Sequence, residues 1–137
     1  MKFFIDHNLP ALLAKSLDSL SKYEGQEYQV VHLTEKFPSS ISDADWISAL
    51  AREGDWIVIT QDRLSKNPTE KLALRESKLT SFFLKKAWSG QKFWPKAYQL
   101  TRWWPSIIQQ AQSIAPGATF RIPFQFSGKG KFEQFNF

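Results

Sequence analysis

The sequence predicts a three-layer α/β fold, with a mainly parallel central sheet and helices packed on both of its faces. Three observations predict it. Strand-like apolar runs alternate with helix-patterned stretches along the 137 residues, an order that folds into parallel strands joined by crossover helices. The run Trp56-Ile57-Val58-Ile59-Thr60 is apolar without alternation, as a strand buried on both faces should be. Two such runs lead into aspartates, Asp6 and Asp62, beyond the strands' carboxyl ends, where open α/β sheets bind ligands.

The elements follow in order. An apolar strand begins almost at Met1 and ends on Asp6. Residues 9 to 22 read as a helix, with Leu9, Leu12, Leu13, Leu17 and Leu20 on one stripe and Pro10 tolerated in the first turn. Tyr28 to Leu33 is a short β-rich run, the second parallel strand, and Glu35 to Ser42 is loop. A helix from about Asp43 to Glu53 stops at Gly54. Trp56–Thr60 is the third strand, a helix starts near Pro68, and Thr80–Leu84 is the fourth strand. A long helix, about Phe93 to Ile114, carries a core-facing stripe of Phe93, Ala97, Leu100, Trp104, Ile107, Ala111 and Ile114, and Pro105 should kink or break it. Phe120, Ile122, Phe124 and Phe126 alternate with polar neighbours as a last strand. The end of the chain is basic and rich in Phe.

Composition narrows the chemistry. No cysteine is present, which excludes a disulfide framework and a thiolate metal site. The N-terminal apolar run is only Phe3 to Ile5, unlike a signal peptide, and no stretch nears the roughly 18 apolar residues of a membrane span. A cytoplasmic protein without membrane attachment is the expectation. The net charge of +5 is uneven: the first 62 residues hold five basic and ten acidic residues, and the remainder 13 basic and three acidic. Such asymmetry suits a protein that grips a phosphate backbone with one part and holds cations with another, or else it is a solvated surface.

Three carboxylates are candidates for one crevice. Asp6 and Asp62 meet there if their strands are adjacent and parallel. The third comes from the helix start Ser42-Asp43-Ala44-Asp45-Trp46-Ile47. Asp43 lies over the face defined by Trp46, Ile47 and Leu50, whereas Asp45 is turned about 200° away. Ser42 and Asp45 are spaced like a capping box, so Asp43 is the site candidate and Asp45 its alternate. Three converging carboxylates repel unless a cation neutralises them. Hard ions such as Mg2+ or Mn2+ prefer oxygen ligands and suit phosphodiester hydrolysis. The competing reading has each aspartate capping a helix or solvating a turn.

At these residues the chain resembles a known family. Phe3-Phe4-Ile5-Asp6-His7-Asn8-Leu9-Pro10, Val30-Val31-His32-Leu33, Asp43-x-Asp45-Trp46-Ile47 and Trp56-Ile57-Val58-Ile59-Thr60-x-Asp62 look like the PIN-like nuclease family, and more narrowly its small branch with VapC-type toxin members. The Pro68-x-Glu70-x-x-Ala73-Leu74 segment and Arg102-Trp103-Trp104-Pro105 are similar to that branch too. The resemblance spans about residues 1 to 115. It implies a three-layer PIN-like fold and a Mg2+-dependent endoribonuclease, often the toxin half of a toxin–antitoxin pair, with Asp6, Asp43 and Asp62 matching the family's acidic positions. Residues 1–122 then form the PIN-like domain and residues 123–137 a C-terminal extension. Larger PIN domains carry a fourth acid before the Asp43 position; Glu35 lies in that interval, and none is assigned here.

The remaining candidates have two readings each. His7 would touch a phosphate or orient a water, but adjacent residues of an extended segment point opposite ways, which favours a structural role. Asn8 would cap the first helix or bond Asp6, His32 is structural, and Thr60 would bond a ligand carboxylate or fill a strand position. Arg63, Lys66, Lys71 and Arg75 would steer an RNA backbone toward the acids, or simply be solvated. Trp103 falls on the polar side of the long helix, as a partner surface or base-stacking platform would, unless a break at Pro105 buries it. Lys129, Lys131, Phe132, Phe135 and Phe137 suit an aromatic-basic nucleic-acid strip, packing across a homodimer, or a disordered end. RNA and an antitoxin protein are the expected partners. A catalytically inactive PIN-like module that binds RNA or protein is the alternative. A receiver-type signalling domain is set aside, because it wants an acidic pair after the first strand and Asp6 is followed by His7.

Overall fold

A computed structural model describes residues 1–23, 27–61 and 67–136. The elements are β1 (Lys2–Ile5), α1 (Ala11–Leu20), β2 (Gln29–His32), α2 (Leu33–Lys36), α3 (Asp43–Glu53), β3 (Trp56–Gln61), α4 (Pro68–Ser77), β4 (Thr80–Leu84), α5 (Phe93–Ser113), β5 (Thr119–Ile122) and β6 (Glu133–Phe135). A single 3-10 turn, Lys86–Trp88, lies between β4 and α5. The sheet order is β2-β1-β3-β4-β5-β6; the first five strands are parallel and β6 pairs antiparallel with β5.

Period-2 alternation in the strands divides the core into two layers. Phe3, Ile5, Ile57, Ile59, Phe82 and Leu84 meet Leu13 and Leu17 of α1 and Leu100, Trp104 and Ile107 of α5. On the other face, Phe4, Val58 and Phe83 meet Trp46, Ile47 and Leu50 of α3 and Leu74 of α4. Aromatic pairs join sheet to helices: Phe3 lies 4.9 Å from Trp104 and Phe4 4.9 Å from Trp46. This is the three-layer α/β fold the sequence predicts.

Local chemistry sets most boundaries. The Ser42 hydroxyl accepts the Asp45 N–H at 3.1 Å to start α3, and Gly54, at φ 80°, ends it, a backbone region open to glycine. Asn67 caps α4 by accepting the Thr69 and Glu70 N–H groups. Asp18 of α1 accepts the Val30 N–H at 2.9 Å and so satisfies a donor on the sheet-edge strand β2.

Several expectations need correction. The loop expected from Glu35 is in part the short helix α2, because His32 and Glu35 form a capping box at its start. Leu12 and Leu20 are 67% and 55% exposed while Leu9, Leu13 and Leu17 are buried; Leu12 projects about 100° from Leu13, off the sheet-facing stripe. Pro105 does not break α5, which runs unbroken from Phe93 to Ser113, so the burial of Trp103 does not come from such a break. Pro105 and Thr101 both lie on the exposed side of α5, where water can satisfy the carbonyl that proline leaves without a donor. β5 ends at Ile122, short of Phe126. The chain leaves the sheet at Pro123, and Phe124 and Phe126 turn onto Trp88 and Trp103 at centroid distances of 4.9 and 4.8 Å.

Trp103 is therefore fully buried, not exposed, with Phe132 5.0 Å from it. Phe135 packs 5.5 Å from Phe83. The Phe-rich end thus covers its own core, whereas Lys129 and Lys131 are exposed. Phe137 lies outside the described residues.

Candidate functional site

The site is built at the carboxyl edge of the parallel strands. Ile5 sits opposite Ile59 in the β1–β3 register, and the Asp6 N–H donates to the Ile59 carbonyl at 3.1 Å. The pairing thus runs one residue past β1 and sets Asp6 beside Thr60. There the chain turns, closed by the Leu9 N–H donating to the Asp6 carbonyl at 3.1 Å.

The Asp6 side chain is 1% exposed, and a buried carboxylate is costly unless hydrogen bonds hold it. Four do so. Oδ1 accepts the His7 backbone N–H at 2.6 Å and His7 Nδ1 at 2.7 Å. Oδ2 accepts the Thr60 hydroxyl at 2.7 Å and the Asn8 amide at 3.2 Å. Because an ionised carboxylate only accepts, Nδ1 of His7 carries the proton in this contact.

This geometry revises two expectations. His7 does not point away from Asp6: the extended segment stops at Ile5, and the turn folds the imidazole back. Asn8 does not cap α1, whose first residue is preceded by Pro10 with no side-chain cap; it donates to Asp6 instead. Thr60 fills a buried position of β3 and from there donates to the Asp6 carboxylate.

Asp43 is half-buried at the first turn of α3 and Asp45 is exposed, in line with the helix-face argument. Asp43 Oδ1 accepts the Trp46 indole N–H at 2.9 Å, and Trp46 is buried on Phe4, so a core residue orients this carboxylate. α3 follows β2 and leads back to β3, which places its N-terminus on the same sheet edge as Asp6. Asp62, Arg63 and Lys66 lie outside the described residues. On α4, Lys71 is half-buried and Arg75 exposed. Glu35 accepts the His32 backbone N–H at 3.4 Å, a capping role. His32 is buried; its Nε2 donates to the Leu9 carbonyl at 2.7 Å, and its Nδ1 accepts from Thr34. The imidazole ties the end of β2 to the Leu9 carbonyl just before α1, a structural role.

Carboxylate and hydroxyl oxygens at Asp6, Asp43 and Thr60 are hard donors, chemically suited to Mg2+ or Mn2+. Among the described residues no three of His, Asp and Glu come together to hold a metal ion, and the lone pairs of Asp6 are already engaged. A groove of about 530 Å³ lies elsewhere, between α1 and α5, lined by Leu17, Leu20, Tyr23, Tyr28, Trp104 and Pro105; among the described residues no acid lines it. Among the described residues, no helix is long and apolar enough to cross a membrane.

Sequence reasoning missed the exposed aromatic residues at the start of α5. Phe93, assigned to the core, is 38% exposed, and Trp94 and Tyr98 are 64% and 66% exposed. Their spacing, with Arg102 four residues further on, was the available signal.

No curated protein and no solved structure matches the chain. The family model described as PIN like domain matches residues 1–86, the segment that supplies β1 to β4 and every candidate acid. The chain belongs to the PIN-like domain family.

Proposed function

We propose that this chain is a metal-dependent endoribonuclease, with Asp6, Asp43 and Asp62 holding a divalent cation, Mg2+ or Mn2+, against RNA. PIN-like domains are often nucleases and generally use divalent metals. The observation that carries the reading is the buried Asp6 carboxylate, fixed at the carboxyl edge of a parallel sheet by Thr60, Asn8 and His7. The bound cation would lower the pKa of a water and neutralise charge on the scissile phosphate. Thr60 and Asn8 hold one oxygen of Asp6 and His7 the other, and Trp46 orients Asp43, so these two carboxylates are held in place. Arg63, Lys66, Lys71 and Arg75 would attract the phosphate backbone. The resemblance to the VapC-type branch supports a toxin with an antitoxin partner.

The test is cleavage of mixed-sequence RNA by the full chain in Mg2+ and in EDTA, beside Asp6→Asn and Asp62→Asn. Cleavage should require the metal and fall at least about 100-fold in either variant, since even residues behind metal ligands are worth 10- to 100-fold. Full activity of both variants in EDTA would sink the reading. For the toxin role, expression in a bacterial host should arrest growth and Asp6→Asn should relieve the arrest.

One observation favours a second reading. Both oxygens of Asp6 are occupied by four donors, an arrangement complete without a cation. An inactive PIN-like module would bind RNA or a protein equally with and without Mg2+ and leave RNA intact.

A further inference from the structure

The chain has six tryptophans. Five of them, Trp46, Trp56, Trp88, Trp103 and Trp104, are at most 5% exposed, and Trp94 is 64% exposed. It does not stand alone. Tyr98, one helical turn on, is 66% exposed and lies 5.9 Å from Trp94 with the ring planes 31° apart. Phe93 meets Trp94 edge-on at 5.2 Å. Arg102 continues the i, i+4 stripe and is itself exposed. Two large rings held side by side in water bury little of each other and cost solvation; the fold has no use for them.

Their surroundings are cationic. Between Glu76 and Glu133 the sequence has nine Lys and Arg and no acidic residue. Lys86 and Lys92 are exposed and Lys96 half-exposed, and among the described residues none of the three forms an ion pair. Topology sets this stripe near the acids. β4 is parallel to β3 and β1, and eight residues separate the end of β4 from the start of α5. The N-terminal turns of α5 therefore stand at the same carboxyl edge as Asp6.

We propose that Trp94 and Tyr98, flanked by Lys92, Lys96 and Arg102, form a stacking platform for unpaired bases of single-stranded RNA entering the crevice at Asp6. The choice of RNA rests on the nuclease reading above. Rings supply sequence-tolerant stacking, and Lys92, Lys96 and Arg102, whose guanidinium lies 4.9 Å over the Phe126 ring, hold the phosphates on either side. A duplex keeps its base faces covered, so the platform selects single strands.

The test uses the full chain in EDTA, with a labelled single-stranded RNA of mixed sequence and a perfect RNA hairpin of equal length, read by anisotropy and tryptophan fluorescence. The single strand should bind more tightly than the hairpin and quench tryptophan emission. Trp94→Ala and Tyr98→Ala should each weaken single-strand binding about 5- to 100-fold, Trp94→Phe should retain most of it while losing the quench, and thermal melts should stay unchanged. Equal binding of hairpin and single strand, or binding unaltered in both alanine variants, overturns the proposal. So does the absence of RNA binding, which would leave a protein partner as the platform's occupant. The two readings fail separately. Platform-dependent binding without cleavage in Mg2+ removes the nuclease and keeps the platform; cleavage with KM unchanged in Trp94→Ala does the reverse.

Discussion

Replacing Thr60 with valine removes one hydroxyl and keeps the branched shape of the side chain. The hydroxyl donates to Asp6 Oδ2 at 2.7 Å, and both residues are 1% exposed, so water cannot readily substitute for it. A hydrogen bond to a charged group contributes about 1.5–3 kcal/mol. Asp6 keeps its contacts to His7 and Asn8 in the variant, which places the expected loss near the middle of that range, about 2 kcal/mol. For a chain of this size that lowers the melting temperature by about 7 °C. The assay is urea unfolding followed by circular dichroism, repeated in an Asp6→Ala background. There, with no carboxylate to bond, Thr60→Val should cost under about 0.5 kcal/mol, a coupling large enough to resolve. If Thr60→Val costs the same in both backgrounds, Thr60 is a packing residue and the account of how Asp6 is held is wrong.

Two further perturbations address the rest of the fold. Phe132 lies 5.3 Å from Phe82 and 5.0 Å from Trp103 but is only partly buried, so Phe132→Ala should cost about 2–3 kcal/mol, below the range for fully buried Phe; an unchanged unfolding midpoint would remove the tail from the core. Glu53 is held below the usual carboxylate range by its hydrogen bond from Lys36, then by the Trp56 indole N–H. A depressed folded pKa means this stabilisation is complete above the unfolded value of about 4.3 and is lost as pH falls through the lower folded value. With Glu53 40% exposed, solvent screening leaves about 0.5 kcal/mol. Glu53→Gln should flatten the acid limb of the stability profile accordingly, and an identical limb in both proteins would contradict the pairing.

What could be read in advance depended on how local its cause is. α3 was legible to the residue because its cap, Ser42, its apolar face and its stop, Gly54, all lie within a dozen positions. β3 was legible because a strand buried on both faces shows an apolar run without alternation, as Trp56 to Ile59 do. Asp6 was legible as a strand-end carboxylate, and its relation to Thr60 was not, because only the register of β1 against β3 brings residues 54 positions apart within 2.7 Å.

The long helix marks the limit most clearly. Its periodicity alone assigned Phe93 inward and Trp103 outward, and the folded chain does the opposite in both cases. Phe93 is left 38% exposed in the first turn of the helix, and Trp103 is roofed by Phe126 and Phe132, which come from more than twenty residues further on. The alternation of strands and helices, the two-faced burial of the central strands and the position of Asp6 at the end of β1 were legible in advance, since each follows from neighbouring side chains. Tertiary structure alone decided which tryptophans are core and which face water, and how the Asp6 carboxylate is held. Burial depends on what else the chain folds over a residue, and a helix pattern does not contain that.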